Sequence, residues 1–372
     1  MAQPDPARYG LQLSGGGARA AYQVGVLKAI ASFYPRNHGL PFPILCGTSA
    51  GAINAVSLAC YASCFHLGVR KLEYVWRHFR TAQVYRADLA GVGHQLLRLL
   101  YRRSARPPAL FDNRPLADLL TRIMPLSRLD RHIEQGYLHA ITLSATRYYH
   151  PCSVNFYQGN PHIVPWQRAR RVGQPGQITI DHLMASSAIP MVFPSVRLDN
   201  DHYGDGSVLQ LSPLSPPIHL GAERILAINL DSPHQTLPLE RRRKAPDSSD
   251  LAGHLLDTIF SDTLNSDLER LERINRSLAL IPEKLRLNQP LKQIETLVLK
   301  PSEDIDAIAR SHYPCLPRAV RWMLRTIGVD GDSDSSLLSY MMFEANYCQE
   351  LIELGYQDAI ARKGELRHFF RL

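Results

Sequence analysis

A chain of 372 residues, 45% hydrophobic and 20% charged, has the composition of a globular protein with a sizeable core, which excludes a disordered or fibrous chain. The formal charge of +8 is concentrated: residues 70–106 hold nine Lys or Arg against only Glu73 and Asp88, a net +7. Six scattered cysteines (Cys46, Cys60, Cys64, Cys152, Cys315 and Cys348) lack the paired short spacings of a zinc site or a disulfide framework, so no metal or cofactor is expected and a reducing compartment is the default.

The first ten residues are polar, without a basic start followed by an apolar run, so no secretory signal is expected and the location is read as cytoplasmic. Tyr9 to Leu13 predicts a short strand, and after a triple glycine Ala18 to Phe33 carries apolar residues at helical spacing. Ile44 to Cys46 predicts a second strand, entered through Pro41 and Pro43. The apolar run from Ala50 to Gly68 that follows contains Asn54 and His66, which marks a buried core helix and not a membrane span. In the basic stretch, His94 to Arg103 sets Leu96, Leu97, Leu100 and Tyr101 against Arg98, Arg102 and Arg103. That pattern fits either an interfacial helix meeting anionic lipid or a solvated helix packing its leucines on the core. No aromatic-interleaved platform accompanies the charge, so nucleic acid is not expected.

Further strands are predicted at Leu138 to Ser144, Ser153 to Tyr157, near Val196 to Leu198, at Arg224 to Asn229 and at Glu295 to Leu299, with a helix over Leu251 to Asn275. Thr236 to Asp250 reads as an exposed loop inside this alternation. From Ser336 to Leu354 apolar residues share one helical face, so the chain ends in helices. Repeated strand-turn-helix units predict an α/β fold with a mostly parallel sheet.

Three motifs carry chemistry. Gly47-Thr48-Ser49-Ala50-Gly51 places a serine between a predicted strand and a predicted helix, where flanking glycines permit the tight turn a nucleophile needs. The helix dipole beyond it favours developing negative charge. Gly15-Gly16-Gly17-Ala18-Arg19 follows the first strand and lets backbone N–H groups converge on an anion. It matches neither dinucleotide nor P-loop fingerprints, so the choice lies between an oxyanion hole and a plain turn with Arg19 exposed. Asp205-Gly206-Ser207 brackets an acid with small residues after a short strand, and alone it is equally an ordinary turn.

In this chain order the three motifs resemble those of the patatin-like phospholipase family: a glycine-rich oxyanion loop, a G-x-S-x-G turn and a D-G-G or D-G-A acid. Ala185 to Pro194 and Pro213 to Pro216 resemble the family's segments before and after the acid. Two positions depart: Ala20 stands where glycine often follows the arginine, and Ser207 where the last glycine or alanine of the acid motif is usual.

The resemblance implies a three-layer α/β/α fold over residues 1–300 with a C-terminal helical extension over 301–372. Residues 70–130 would be a basic lid-like helical insertion. It implies a lipid acyl hydrolase with Ser49 as nucleophile and Asp205 as its base, without a histidine. Backbone N–H groups of Gly15, Gly16, Gly17 and Ala50 would hold the oxyanion, with Arg19, Gly47, Gly51 and Gly206 in support. The expected partner is a phospholipid or other lipid ester, with peripheral contact to anionic membrane through Arg98, Arg102 and Arg103. Two alternatives stay open: an α/β-hydrolase esterase using Ser49 with one of His219, His234, His254, His312 or His368, and a catalytically silent lipid-binding scaffold of the same fold.

Overall fold

The computed structural model describes residues 9–86, 111–231, 263–282, 291–326 and 336–372, with the single positions 109, 233, 285 and 329. The predicted helix over 94–103, the loop over 236–250 and the start of the predicted helix over 251–275 lie outside them. The described strands are β1 (Tyr9–Leu13), β2 (Ile44–Thr48), β3 (Ala140–Arg147), β4 (Cys152–Gly159), β5 (Trp166–Arg168), β6 (Arg171–Pro175), β7 (Val196–Leu198), β8 (Asp201–Asp205), β9 (Arg224–Ile228) and β10 (Glu295–Leu299).

A parallel ladder in the order β10-β9-β1-β2-β3 forms the spine of one sheet. β1 and β2 are buried along their whole length, as strands covered on both faces must be. Side-chain alternation divides the core in two. Leu11, Leu13, Leu45, Ile141, Leu143, Leu226 and Ile228 meet the layer of α1 (Ala21–Ala31), α2 (Ala50–Ala59) and α3 (Phe65–Arg77). Ile44, Cys46, Ala140, Ile225 and Ala227 face the opposite way, onto Leu264 and Leu271 of the helix Thr263–Ala279. The result is a three-layer α/β/α architecture around a mostly parallel sheet.

Beyond β3 the sheet becomes mixed: β4 is antiparallel to β3, β6 is parallel to β4 and β5 antiparallel to β6, while β8 and its hairpin partner β7 join the end of β3. β5 and β6 are short, largely exposed strands at the sheet's far side, without the apolar run that marks the parallel strands.

Three helical predictions change in detail. The run expected as one core helix from Ala50 to Gly68 is two, Ala50–Ala59 and Phe65–Arg77, broken over 60–64. The chain leaves the glycines as a single 3-10 turn, Gly17–Ala20, before α1 begins. The predicted run 336–354 is broken into Leu337–Met341 and Ala345–Ala361, because Glu344 is extended and its carboxylate accepts from Thr81 N–H (3.3 Å) and Thr81 Oγ1 (2.7 Å). The long second helix then packs on α1 with backbones almost touching: a methyl at Gly25 would strike the Ile352 carbonyl, and one at Gly355 the Tyr22 carbonyl. Among the described residues no helix is long and apolar enough to cross a membrane.

Candidate active site

Sheet register brings Ser49 and Asp205 together. β2 pairs with β3 up to Thr48 opposite Ser144, and there the chain turns off into α2. The next position of β3, Ala145, pairs instead with Asp205, the last residue of β8, which arrives from the opposite direction. Two strands thus meet end to end along one edge of β3, one delivering a serine and the other a carboxylate. Ser49 Oγ donates to Asp205 Oδ2 at 2.6 Å, and both side chains are buried.

Ser49 sits at φ 53°, ψ −127°, a backbone that costs a side-chain-bearing residue on the order of 1–3 kcal/mol. The neighbours accommodate the turn. A methyl at Gly51 would lie 2.5 Å from the Leu13 and Ser14 carbonyls, and one at Gly47 would collide with the first turn of α2. Ser186 Oγ accepts from Ser49 N–H at 2.9 Å and donates to the Ser144 carbonyl at 2.6 Å, tying the turn to β3.

Burial pushes the Asp205 carboxyl up to about 6, while the hydrogen bonds from Ser49 and Ser207 pull the other way. Oδ1 accepts from Ser207 N–H at 2.9 Å, and the Asp205 N–H is taken by the Ala188 carbonyl at 2.9 Å. Gly206 is obligatory here, since a methyl would overlap the Ser144 carbonyl. Beneath the pair a polar chain runs from Thr48 Oγ1 to Gln210 Oε1 (2.7 Å), from Gln210 Nε2 to Ser144 Oγ (3.2 Å), and on to Asn155 Oδ1 (2.9 Å).

The glycine loop follows β1 directly. Ser14 N–H makes the last ladder bond, to the Ile228 carbonyl at 3.3 Å, and the chain then turns away. Among the described residues the N–H groups of Gly15, Gly16, Gly17 and Ala50 have no hydrogen-bond acceptor. Gly17 is left-handed (φ 56°) and lies against the Tyr340 carbonyl, where any side chain would collide. Arg19 is not exposed as a plain turn would have it. It is 3% exposed, with Nη2 on Asp306 Oδ1 at 2.6 Å, Nε on Ser339 Oγ at 2.7 Å and its guanidinium 3.9 Å from the Tyr340 ring centroid.

A family model described as patatin-like phospholipase matches residues 11–218, more than half of the chain. The chain belongs to the patatin-like phospholipase family. Solved structures similar to it include VipD from Legionella pneumophila (13% identity, TM-score 0.44, covering 97% of this chain and 67% of that one). Human GIVD cytosolic phospholipase A2 in complex with methyl gamma-linolenyl fluorophosphonate and terbium chloride is another (13%, TM-score 0.47, 99% and 60%). So is the type III effector ExoU (15%, TM-score 0.38, 99% and 54%), known from Pseudomonas aeruginosa. The chain therefore spans between about half and two thirds of the length of these chains. No curated protein matches it.

In this patatin-like chain the described histidines among those considered for a triad make other contacts or lie on other elements. His219 stacks on Trp166, with ring centroids 4.9 Å apart, and His312 bonds Glu350 at 2.5 Å. His368 lies in the last helix, Lys363–Phe370, while His234 and His254 fall outside the described residues. No histidine among the described residues bonds Ser49 or Asp205. Of the two departures from the family pattern, Ala20 is fully buried, and Ser207 bonds the acid through its backbone N–H and also acts on it through its hydroxyl, which favours the ionised carboxylate as a glycine or alanine there could not. Sequence reasoning missed Ser144, Asn155, Gln210 and Asp306. Ser144 and Asn155 are two of several polar residues in β3 and β4 and nothing local singles them out; Gln210 and Asp306 carry no local mark either. Among the described residues no cluster could hold a metal ion.

Proposed function

We propose that this chain hydrolyses carboxylic esters of lipids, as a phospholipase A or lipid acyl hydrolase, with a Ser49–Asp205 dyad. One observation carries the reading: the 2.6 Å hydrogen bond from Ser49 Oγ to a fully buried carboxylate with no histidine between them. Ser49 Oγ attacks the ester carbonyl carbon as its proton passes to Asp205 Oδ2. The oxyanion is received by the N–H groups of the Gly15–Gly17 loop and of Ala50 at the start of α2, each such donor worth roughly 3 kcal/mol. As the intermediate collapses, the carbon–oxygen bond to the alcohol breaks and the alcohol leaves with the proton from Asp205. Water, deprotonated by the same carboxylate, then releases the fatty acid from the acyl-serine. A carboxyl raised to about 6 is a far better base than an exposed aspartate, near 3.9, and is still ionised at neutral pH.

The test is a panel of lipid esters and a fluorophosphonate probe on wild type, Ser49→Ala and Asp205→Asn. Wild type turns over lipid esters and is labelled, and Ser49→Ala does neither; labelling that survives in Ser49→Ala overturns the assignment.

We read residues 1–300 as the acyl hydrolase domain, 301–372 as its helical extension, and 70–130 as a lid-like insertion that meets anionic membrane. The described part of that insertion supports a basic outer surface: on α3, Arg70 and Lys71 are exposed and Tyr74 is 65% exposed. Replacing Arg98, Arg102 and Arg103 with Ser should weaken binding to anionic vesicles, with a reduced dependence on salt. Unchanged vesicle binding would remove these arginines from the membrane contact.

A further inference from the structure

The Ser14 carbonyl faces an unexpected way. In an extended strand the N–H and C=O of one residue address the same neighbouring strand. Ser14 N–H does bond β9, at the Ile228 carbonyl, but its carbonyl is taken by Gln23 Nε2 of α1 at 2.8 Å. That carbonyl also lies against the first turn of α2, where only the missing side chain of Gly51 leaves room. A trans peptide plane carries its C=O and the following N–H on opposite sides. A carbonyl held inward by Gln23 therefore holds the Gly15 N–H outward.

The amide of Gln23 is fixed in its turn. Its Oε1 accepts from Asn54 Nδ2 at 2.9 Å, Asn54 Nδ2 also donates to the Ala20 carbonyl at 3.1 Å, and Asn54 Oδ1 accepts from Trp76 Nε1 at 2.8 Å. Gln23 and Asn54 are 0% exposed and Trp76 3%. Each bond sets the orientation of the next amide, because a flipped amide would bring donor against donor. Three helices thus contribute one side chain each to a satisfied buried network whose last bond ends on the glycine loop.

We propose that Gln23, oriented by Asn54 and Trp76, is the positioning residue that aims the Gly15 N–H at the oxyanion. It touches no substrate. This rests on the dyad reading above, and its consequence is kinetic: loss of the bond frees the Ser14–Gly15 peptide to rotate and misplaces one oxyanion donor.

The experiment measures kcat and KM on a soluble lipid ester for wild type, Gln23→Met and Trp76→Phe, with active sites counted by stoichiometric fluorophosphonate labelling. Counting sites separates misfolded protein from slow protein. Gln23→Met should lower kcat per labelled site by about 10- to 100-fold, within the cost of losing one oxyanion donor, with KM within about twofold of wild type. Trp76→Phe, which frees the Asn54 amide and leaves Gln23 in place, should lower it by a smaller factor in the same direction. A kcat per site within twofold of wild type in Gln23→Met overturns the proposal. If that variant yields no folded protein, the same result in Trp76→Phe overturns it. A wild type that neither labels nor turns over lipid ester would instead sink the dyad reading.

Discussion

Replacing Asp205 by Asn should abolish turnover and, at neutral pH, make the protein more stable. The carboxylate is completely buried, and burial lifts its pKa from 3.8 to about 6. At roughly 1.4 kcal/mol per pKa unit, keeping it ionised in the fold costs about 3 kcal/mol. The amide removes that cost without orphaning a partner: its oxygen can still accept from Ser207 N–H, and its NH2 can donate to Ser49 Oγ. The sign follows from linkage. A raised folded-state pKa means the native protein binds the proton more tightly than the unfolded chain. Its contribution is therefore fully present below about pH 4 and lost as pH rises through about 6. The stability difference between Asp205→Asn and wild type should be small at pH 4, grow to about 3 kcal/mol in favour of the variant by pH 7, and stay flat above. Denaturant unfolding across pH 4–8 measures it. In parallel, wild-type kcat/KM should rise with pH through an apparent value near 6, since the base acts only when ionised. A difference that does not change between pH 4 and 7, or a variant less stable than wild type at pH 7, would refute the view that a desolvated carboxylate is the base.

Gly51→Ala should sharply reduce both folding and turnover, because its methyl would sit 2.5 Å from two backbone carbonyls of the β1 exit; an Ala variant with normal melting temperature and kcat would show that the elbow has slack the packing denies. Asp306→Leu leaves the guanidinium of Arg19 buried without its carboxylate and should destabilise by about 3–5 kcal/mol, whereas Arg19→Met combined with Asp306→Leu should recover much of the loss. A double-mutant cycle by chemical denaturation measures the coupling, and strictly additive losses would mean the pair is not acting as a unit.

The parallel half of the fold was legible because its physics is local. Strands covered on both faces are predominantly apolar, and YGLQL and RILAI stand out against the polar turns around them, as does ETLVL although that strand is only partly buried. The antiparallel part was legible only in pieces: β4 and β7 were expected, whereas β5, β6 and β8 were not. β8 reads DHYGD, with only Tyr203, Gly204 and Asp205 buried, and nothing in that string says that it pairs beyond the end of β2. The serine and the acid were visible because glycines that backbone collisions impose, at Gly47, Gly51 and Gly206, stand within a few residues of each in the chain. The arginine's partner was invisible because Asp306 lies 287 positions away, in a helix that would be ordinary on any surface. Glu344 shows the same limit from the other side: apolar periodicity ran straight through a break that a contact to Thr81, 263 residues back, imposes.

On the proposed dyad, why a carboxylate could serve without a histidine follows from where β8 ends. A base in solution at 3.9 would hold too little affinity for the serine proton, and an interposed imidazole is one remedy. Here the remedy is positional. Because Asp205 pairs with Ala145, one step past the Thr48–Ser144 pair, its side chain is set beside Ser49, inside the sheet edge and out of water. A shift of β8 by one residue would send that side chain to the opposite face of the sheet. The Ala188 carbonyl that accepts the Asp205 N–H, and the Ser186 hydroxyl that accepts the Ser49 N–H, come from the segment just ahead of the β7–β8 hairpin. That one segment holds both members of the pair by their own backbone amides, Asp205 through the Ala188 carbonyl and Ser49 through the Ser186 hydroxyl, which is itself fixed on the Ser144 carbonyl at 2.6 Å, so serine and acid are held close with no imidazole between them.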